Sequence, residues 1–218
     1  MSALIELRGP AAALMRSDIN TDLIAPLVRQ ADGQQPVGLR SREELAQRLF
    51  GPWRYLPDGQ ENPDFVLNRV PFRQARFLVA GSNFACGSSR ETAATMLEAF
   101  GIRCIIAPSF GQIFYDNCFR NHMLPLVVEL QTAERLAQKA SSGAAFALDM
   151  RGMTLSVPDE EPLAFTLPLF RQTMLVEGRD EVDVTLSRVS AIDAYRSRVG
   201  AVRPWELLRM PEDPPLGS

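Results

Sequence analysis

Between Ala75 and Leu130 short apolar runs alternate with segments of helical period, and this alternation narrows the possible folds more than any other part of the 218 residues. Ala75 to Ala80 (ARFLVA), Ile102 to Ala107 and Leu124 to Leu130 (LPLVVEL) read as strands. Thr92 to Phe100 carries Ala93, Met96, Leu97 and Phe100 at helical spacing, with Gly101 placed to end the helix. Phe110 to Cys118 puts Phe110, Ile113, Phe114 and Cys118 on one helical face, closed by Asn121-His122. Repeated β–α–β alternation predicts parallel strands joined by right-handed crossovers. Ligands of such sheets sit beyond the carboxyl ends of the strands. Here that place is the stretch Gly81-Ser82-Asn83-Phe84-Ala85-Cys86-Gly87-Ser88-Ser89-Arg90-Glu91.

Its composition points the same way. A Gly-bounded turn that enters a helix gathers free backbone N–H groups and the positive end of the helix dipole, a setting suited to an anion. Two hydroxyls and a guanidinium, Ser88, Ser89 and Arg90, stand at that junction. A structural alternative has the same spacing. Ser88-x-x-Glu91 fits a capping box, with Ser88 accepting from the helix backbone and Glu91 reaching back. Arginine alone says little, because Lys139 is the only lysine among the basic residues. What favours a site is the concentration of Gly81, Gly87, Ser88, Ser89 and Arg90 at one strand–helix junction.

Composition removes several classes of function. A formal charge of −3 gives no electrostatic case for nucleic acid or an anionic membrane. No apolar run approaches the roughly 20 residues of a membrane span, and Met1 to Leu14 lacks the shape of a signal peptide; a cytoplasmic protein is expected. Cys86, Cys104 and Cys118 are odd in number and far apart, unlike a disulfide framework or a zinc or iron–sulfur ligand set. Cys104 reads as core, and Cys86 as a small packed residue of the turn. His122 is the only histidine, which excludes a histidine metal cage within one chain, and no G-x-S-x-G elbow supports a Ser–His–Asp triad.

The rest of the chain surrounds this centre. Leu4 to Leu7 reads as a strand, Gly9-Pro10 as a turn and Ala11 to Met15 as a second extended piece. Arg16 to Pro26, dense in Asp, Asn, Ser and Thr, marks a loop or helix entrance. Ala31 to Pro36 reads as a mobile loop. Ser41 to Phe50 is an amphipathic helix opening on Ser41, with Glu44 as capping partner. Gly51 to Pro63 reads as irregular, and Asp64 to Val70 leads into the strand before the central turn. A helix capped at Thr132 follows, then a hairpin about Arg151-Gly152, a strand at Leu163 to Leu167, a helix from Phe170 to Glu177 ended by Gly178, and a last helix from Ser190 to Arg198. One domain over 1–210 and a flexible tail over 211–218 are expected.

The stretch Asn83 to Glu91 resembles the signature of the small subunits of 3-isopropylmalate dehydratase, relatives of the swivel domain of aconitase. Pro63 to Asn68, Ile105 to Phe110 and Asn117 to Asn121 resemble stretches of that family in the same order. So do Thr21-Asp22 with Ile24 and Pro26, and Asp180 to Leu186 with the helix after it. The resemblance implies an α/β fold, a swivelling β/β/α three-layer domain like domain 4 of aconitase with a parallel βαβαβ core. It also implies a hydro-lyase in leucine biosynthesis, active only with a large subunit. That partner would hold a [4Fe–4S] cluster, so no metal is expected on this chain, and the substrate would be a small hydroxy diacid. By resemblance Ser88 is the base and Arg90 holds a substrate carboxylate. Ser89, Asn83, Thr21, Asp22 and Arg29 are further substrate-binding candidates, with Asp22 expected near Ser88 or Arg90.

A serine is a poor base, so its alkoxide needs N–H donors, a helix N-terminus and a cation beside it. The chain departs from the family pattern at Asn20, Ala85, Thr92 and His122, where Asp, Gly, His and Gly are usual. These departures, and Leu27 to Gln30 in the region where the family sorts its substrates, leave another diacid open (a methylmalate, dimethylmalate, maleate or citraconate), as well as a swivel-like binding module without catalysis.

Overall fold

The structure is a computed structural model and describes residues 3–26, 41–87, 90–179, 181–203 and 205. The 31–36 loop and the 211–218 tail lie outside the described residues. The chain divides into two compact units, Met1–Arg179 and Asp180–Ser218, where the sequence suggested one domain over 1–210. The second unit contains helices α8 (Glu181–Leu186) and α9 (Val189–Val202).

Strands β1 (Glu6–Leu14), β2 (Phe77–Ala80), β3 (Cys104–Ala107), β4 (Leu124–Val127), β5 (Ala145–Asp149), β6 (Thr154–Ser156) and β7 (Leu163–Ala164) form one sheet in the order β4-β3-β2-β1-β5-β6-β7. Helices α1 (Thr21–Ile24), α2 (Arg42–Arg48), α3 (Gly51–Arg54), α4 (Glu91–Phe100), α5 (Gln112–Arg120), α6 (Leu130–Ser141) and α7 (Leu169–Glu177) complete the first unit. The expected parallel βαβαβ core is β2-α4-β3-α5-β4, with Phe77 opposite Cys104 and Cys104 opposite Leu124.

Two hydrophobic clusters sandwich this sheet. Ala12, Leu78, Ala80, Ile105 and Ala107 pack with Ala93, Ala94, Met96 and Leu97 of α4. Ala11, Phe77, Val79, Cys104 and Ile106 pack with Leu136, Ala137 and Ala140 of α6. Successive strand residues point to opposite faces, so a strand covered on both sides is apolar throughout. That is why FLVA and CIIA are unbroken apolar runs.

The turn expected at Gly9-Pro10 does not form. Instead β1 runs through it and changes partner there. Glu6 to Pro10 pair antiparallel with β5, and Ala11 to Leu14 pair parallel with β2. Proline offers no N–H to a ladder, but the Pro10 carbonyl accepts from the Arg76 N–H at 2.9 Å. The segment expected to be irregular after Phe50 begins with α3, whose first turn contains Pro52. Arg54 at its end is buried, donating to Asn68 Oδ1 at 3.0 Å and to the Ala46 carbonyl at 2.7 Å. Helix α6 starts at Leu130, two residues before the expected cap at Thr132, and Glu129 at its head makes no side-chain cap.

Ser41 and Glu44 form the expected capping box, with Ser41 Oγ accepting from the Glu44 N–H at 3.2 Å and Glu44 Oε2 from the Ser41 N–H at 3.0 Å. Ser41→Ala is expected to cost about 1 kcal/mol, read as a lowered midpoint in chemical denaturation. Cys104 and Cys118 are fully buried, and burial pushes both thiols up, away from the reactive thiolate. A thiol reagent near pH 8 is therefore expected to titrate only Cys86 of the native chain and all three cysteines after unfolding. Rapid native labelling of Cys104 or Cys118 would contradict this packing.

Candidate functional site

The carboxyl ends of β1, β2 and β3 lie side by side, and the segments leaving them are bonded to one another. From the β1 side, the Asp18 N–H donates to the Ser82 carbonyl at 3.0 Å and the Thr21 N–H to the Cys86 carbonyl at 2.9 Å. On the β3 side, the Phe84 N–H donates to the Ser109 carbonyl at 3.0 Å and the Gly111 N–H to the Phe84 carbonyl at 2.8 Å. Phe84 itself is fully buried, meeting the rings of Phe110 and Phe114 edge-on at 6.3 and 5.6 Å.

The approach is close enough to require two glycines. A Cβ on Gly81 would stand 2.6 Å from the Arg16 carbonyl group, and one on Gly111 would stand 2.4 Å from the Ala85 oxygen. The turn between them is wound tightly. Asn83 and Ala85 are left-handed at φ 56° and 57°, as is Asp18 opposite at 56°. Such conformations cost a non-glycine residue about 1 kcal/mol and collect where function over-determines the backbone. Ala85 and His122, where the resemblance leads to an expectation of glycine, are both left-handed (His122 at 52°).

Of the capping box expected at Ser88 and Glu91, Ser88 lies outside the described residues. Helix α4 begins at Glu91, its N-cap is Arg90 in an extended conformation, and no side chain among the described residues caps it. Glu91 is thus the first helical residue, whereas the box needs it third. The side chain of Arg90 folds toward α1. Its Nη1 forms an ion pair with Asp22 Oδ1 and donates to the Ala25 carbonyl at 3.3 Å. Both contacts use Nη1, and among the described residues Nη2 and Nε have no partner, so the fork keeps donors for a ligand. Arg90 is one quarter exposed and Asp22 61% exposed, so the pair opens to solvent. The N-terminus of α4 adds positive potential at the same spot.

Among the expected site residues, Arg90 and Asp22 meet. Thr21 is buried beneath them as the first residue of α1. Asn20 caps that helix through Oδ1, which accepts from the Leu23 N–H at 2.9 Å, a role that the Asp expected there by resemblance could also fill. Asn83 stands on the other side of the turn, its side-chain amide donating to Asp18 Oδ1 at 2.7 Å and its N–H to Ser109 Oγ at 2.8 Å. Ser88, Ser89 and Arg29 lie outside the described residues. His122 lies between α5 and β4, at the opposite end of the strands. Asp18 and Ser109 are not among the site residues expected from sequence; the signals for them are the polar segment after β1 that holds Asp18 and the Ile105 to Phe110 stretch of the resemblance that holds Ser109.

Comparison with known proteins places this geometry in a family. Residues 1–131 match the aconitase C-terminal domain. The 3-isopropylmalate dehydratase small subunit of Dinoroseobacter shibae is 40% identical over 207 residues, 94% of this chain and all of that protein. Those of Xanthobacter autotrophicus and Agrobacterium fabrum are 41% and 40% identical over the same shares. The crystal structure of 3-isopropylmalate dehydratase (LeuD) from Methanocaldococcus jannaschii shares the fold, with a TM-score of 0.60 at 22% identity over 88% of this chain and 99% of that one. The swivel-type α/β fold expected from the sequence is therefore the fold observed, and the chain belongs to the 3-isopropylmalate dehydratase small-subunit family within the aconitase C-terminal domain group.

Proposed function

We propose that this chain is the small subunit of a hydro-lyase that interconverts 2-isopropylmalate and 3-isopropylmalate by dehydration and rehydration, in leucine biosynthesis. The observation that carries the reading is the Arg90–Asp22 pair at the head of α4, in a chain alike over its length to small subunits of that name. Arg90 keeps two directions of its planar fork open and meets a substrate carboxylate with paired hydrogen bonds. Asp22 holds the guanidinium against α1, so that the fork arrives already oriented. Ser88, two residues before Arg90, takes the proton from the carbon next to that carboxylate, and its alkoxide is stabilised by the helix N-terminus and the guanidinium. As that proton leaves, the C–O bond of the neighbouring carbon breaks and its hydroxyl departs as water, helped by the Lewis acidity that a cluster on the partner would supply. The Ser88 hydroxyl returns a proton when water adds across the double bond in the other sense.

The described residues contain no group of three His, Cys, Asp or Glu placed to hold a metal ion, and Cys104 and Cys118 are sealed in the core as thiols. These residues do not fit an iron–sulfur cluster, and we assign the [4Fe–4S] cluster to the partner large subunit. No helix among the described residues is long and apolar enough to cross a membrane. The assembled enzyme is read as a heteromer whose active site closes between the two chains, in the cytoplasm.

The test is reconstitution with the cognate large subunit. Ser88→Ala is expected to lower kcat by about 10²–10⁴-fold, the range of a lost proton-transfer group. Arg90→Lys, which keeps the charge and loses the fork, is expected to lower kcat/KM by about 10–100-fold, most of it in KM. Full turnover by either variant contradicts the assignment. Turnover of another hydroxy diacid, with none of isopropylmalate and no growth of a leucine auxotroph carrying both subunits, replaces the substrate while keeping the chemistry.

A further inference from the structure

Asp18 and Ser109 have no part in the reaction just described, yet they hold the turn that leads to it. Asn83 is gripped from both sides, by Asp18 Oδ1 on its side-chain amide at 2.7 Å and by Ser109 Oγ on its backbone N–H at 2.8 Å. The two grips come from the ends of β1 and β3, the strands that flank β2. Parallel backbone bonds reinforce each, from the Asp18 N–H to Ser82 and from the Phe84 N–H to Ser109. Asp18 and Asn83 both pay for left-handed backbones, and each is held there by the other.

We propose that Asp18 and Ser109 are positioning residues, which fix Asn83 and thereby the line along which the turn presents Arg90 and the head of α4 to the substrate. The inference rests on the hydro-lyase reading. It also changes the part expected of Asn83, whose amide is engaged with Asp18 and serves the loop.

The magnitudes separate a positioning role from a merely structural one. Asp18 and Asn83 are exposed, so their hydrogen bond competes with water and adds about 1 kcal/mol or less to the fold. A displacement of the reacting groups by about 1 Å, in contrast, can cost about a hundredfold in rate. Loss of the grip is therefore felt in kcat before it is felt in stability.

The experiment uses the two-subunit enzyme with Asp18→Ala, Asp18→Asn and Ser109→Ala in this chain. Asp18→Ala is expected to lower kcat about tenfold or more, with KM within about threefold and the unfolding midpoint within about 4 °C. Asp18→Asn keeps Oδ1 as an acceptor and is expected to restore kcat to within about threefold of wild type. Hydrogen exchange at the Asn83 and Phe84 amides is expected to quicken in Asp18→Ala and Ser109→Ala, with the Ala12 and Ala13 amides of β1 unchanged. Wild-type kcat in Asp18→Ala, equal damage in Asp18→Ala and Asp18→Asn, or unchanged exchange at Asn83 and Phe84 overturns the proposal. If the wild-type pair turns over no hydroxy diacid, the hydro-lyase reading fails by itself, and the exchange measurement still decides whether the grip exists.

Discussion

Phe84 is the residue on which the working edge of this protein depends. It sits in the middle of a polar, tightly wound turn, yet its ring is fully buried against Phe110 and Phe114. Burying such a ring contributes about 1.5–3 kcal/mol, enough to offset the left-handed conformations on either side of it. Its backbone also bonds the segment after β3 through both N–H and carbonyl. With the ring pinned, the turn cannot drift from the sheet, and the residues after it are delivered to one place.

What they deliver is orientation more than stability. The Arg90–Asp22 pair is partly solvent-exposed, and ion pairs of that kind contribute at most about 1 kcal/mol. Its value lies in direction, because Nη1 of the guanidinium is committed to Asp22 and to the Ala25 carbonyl. The short helix α1 exists for the same purpose. Asn20 caps it, the buried Thr21 ties it to Cys86, and Asp22 is raised toward Arg90. Both sides of the site are thus assembled from the loops that leave adjacent parallel strands, where α/β sheets generally place their ligands.

Much of this was legible in the sequence, for definite reasons. The apolar runs at Ala75 to Ala80, Ile102 to Ala107 and Leu124 to Leu130 read as strands and the segments between them carry helical period, so the parallel core followed. The capping pattern shows where legibility ends. Ser41-Glu44 and Ser88-Glu91 have the same spacing, and the first forms a box, whereas at the second α4 starts on Glu91 itself with Arg90 as its N-cap. At the second, the turn is bonded to the segments after β1 and β3 as far as Cys86, and the helix start follows that tertiary bonding more than local pairing. Gly9-Pro10 misleads for a similar reason. Its turn-forming residues lie where a strand exchanges one neighbour for another, and only the pairing of β1 with both β2 and β5 reveals it. Asp18 and Ser109 could not be singled out because their common partner, Asn83, lies far from both along the chain.

The account stands on a substrate carboxylate meeting this chain at Arg90, with the rest of the reaction centre supplied by another polypeptide. The most direct measurement is a crystal structure of the assembled subunits with a bound hydroxy diacid. The prediction is that Nη2 and Nε of Arg90 lie within about 3 Å of one carboxylate, with Asp22 still holding Nη1 and the Ser88 hydroxyl facing the adjacent carbon. A diacid bound wholly by the large subunit, with Arg90 turned away from it, would contradict the account.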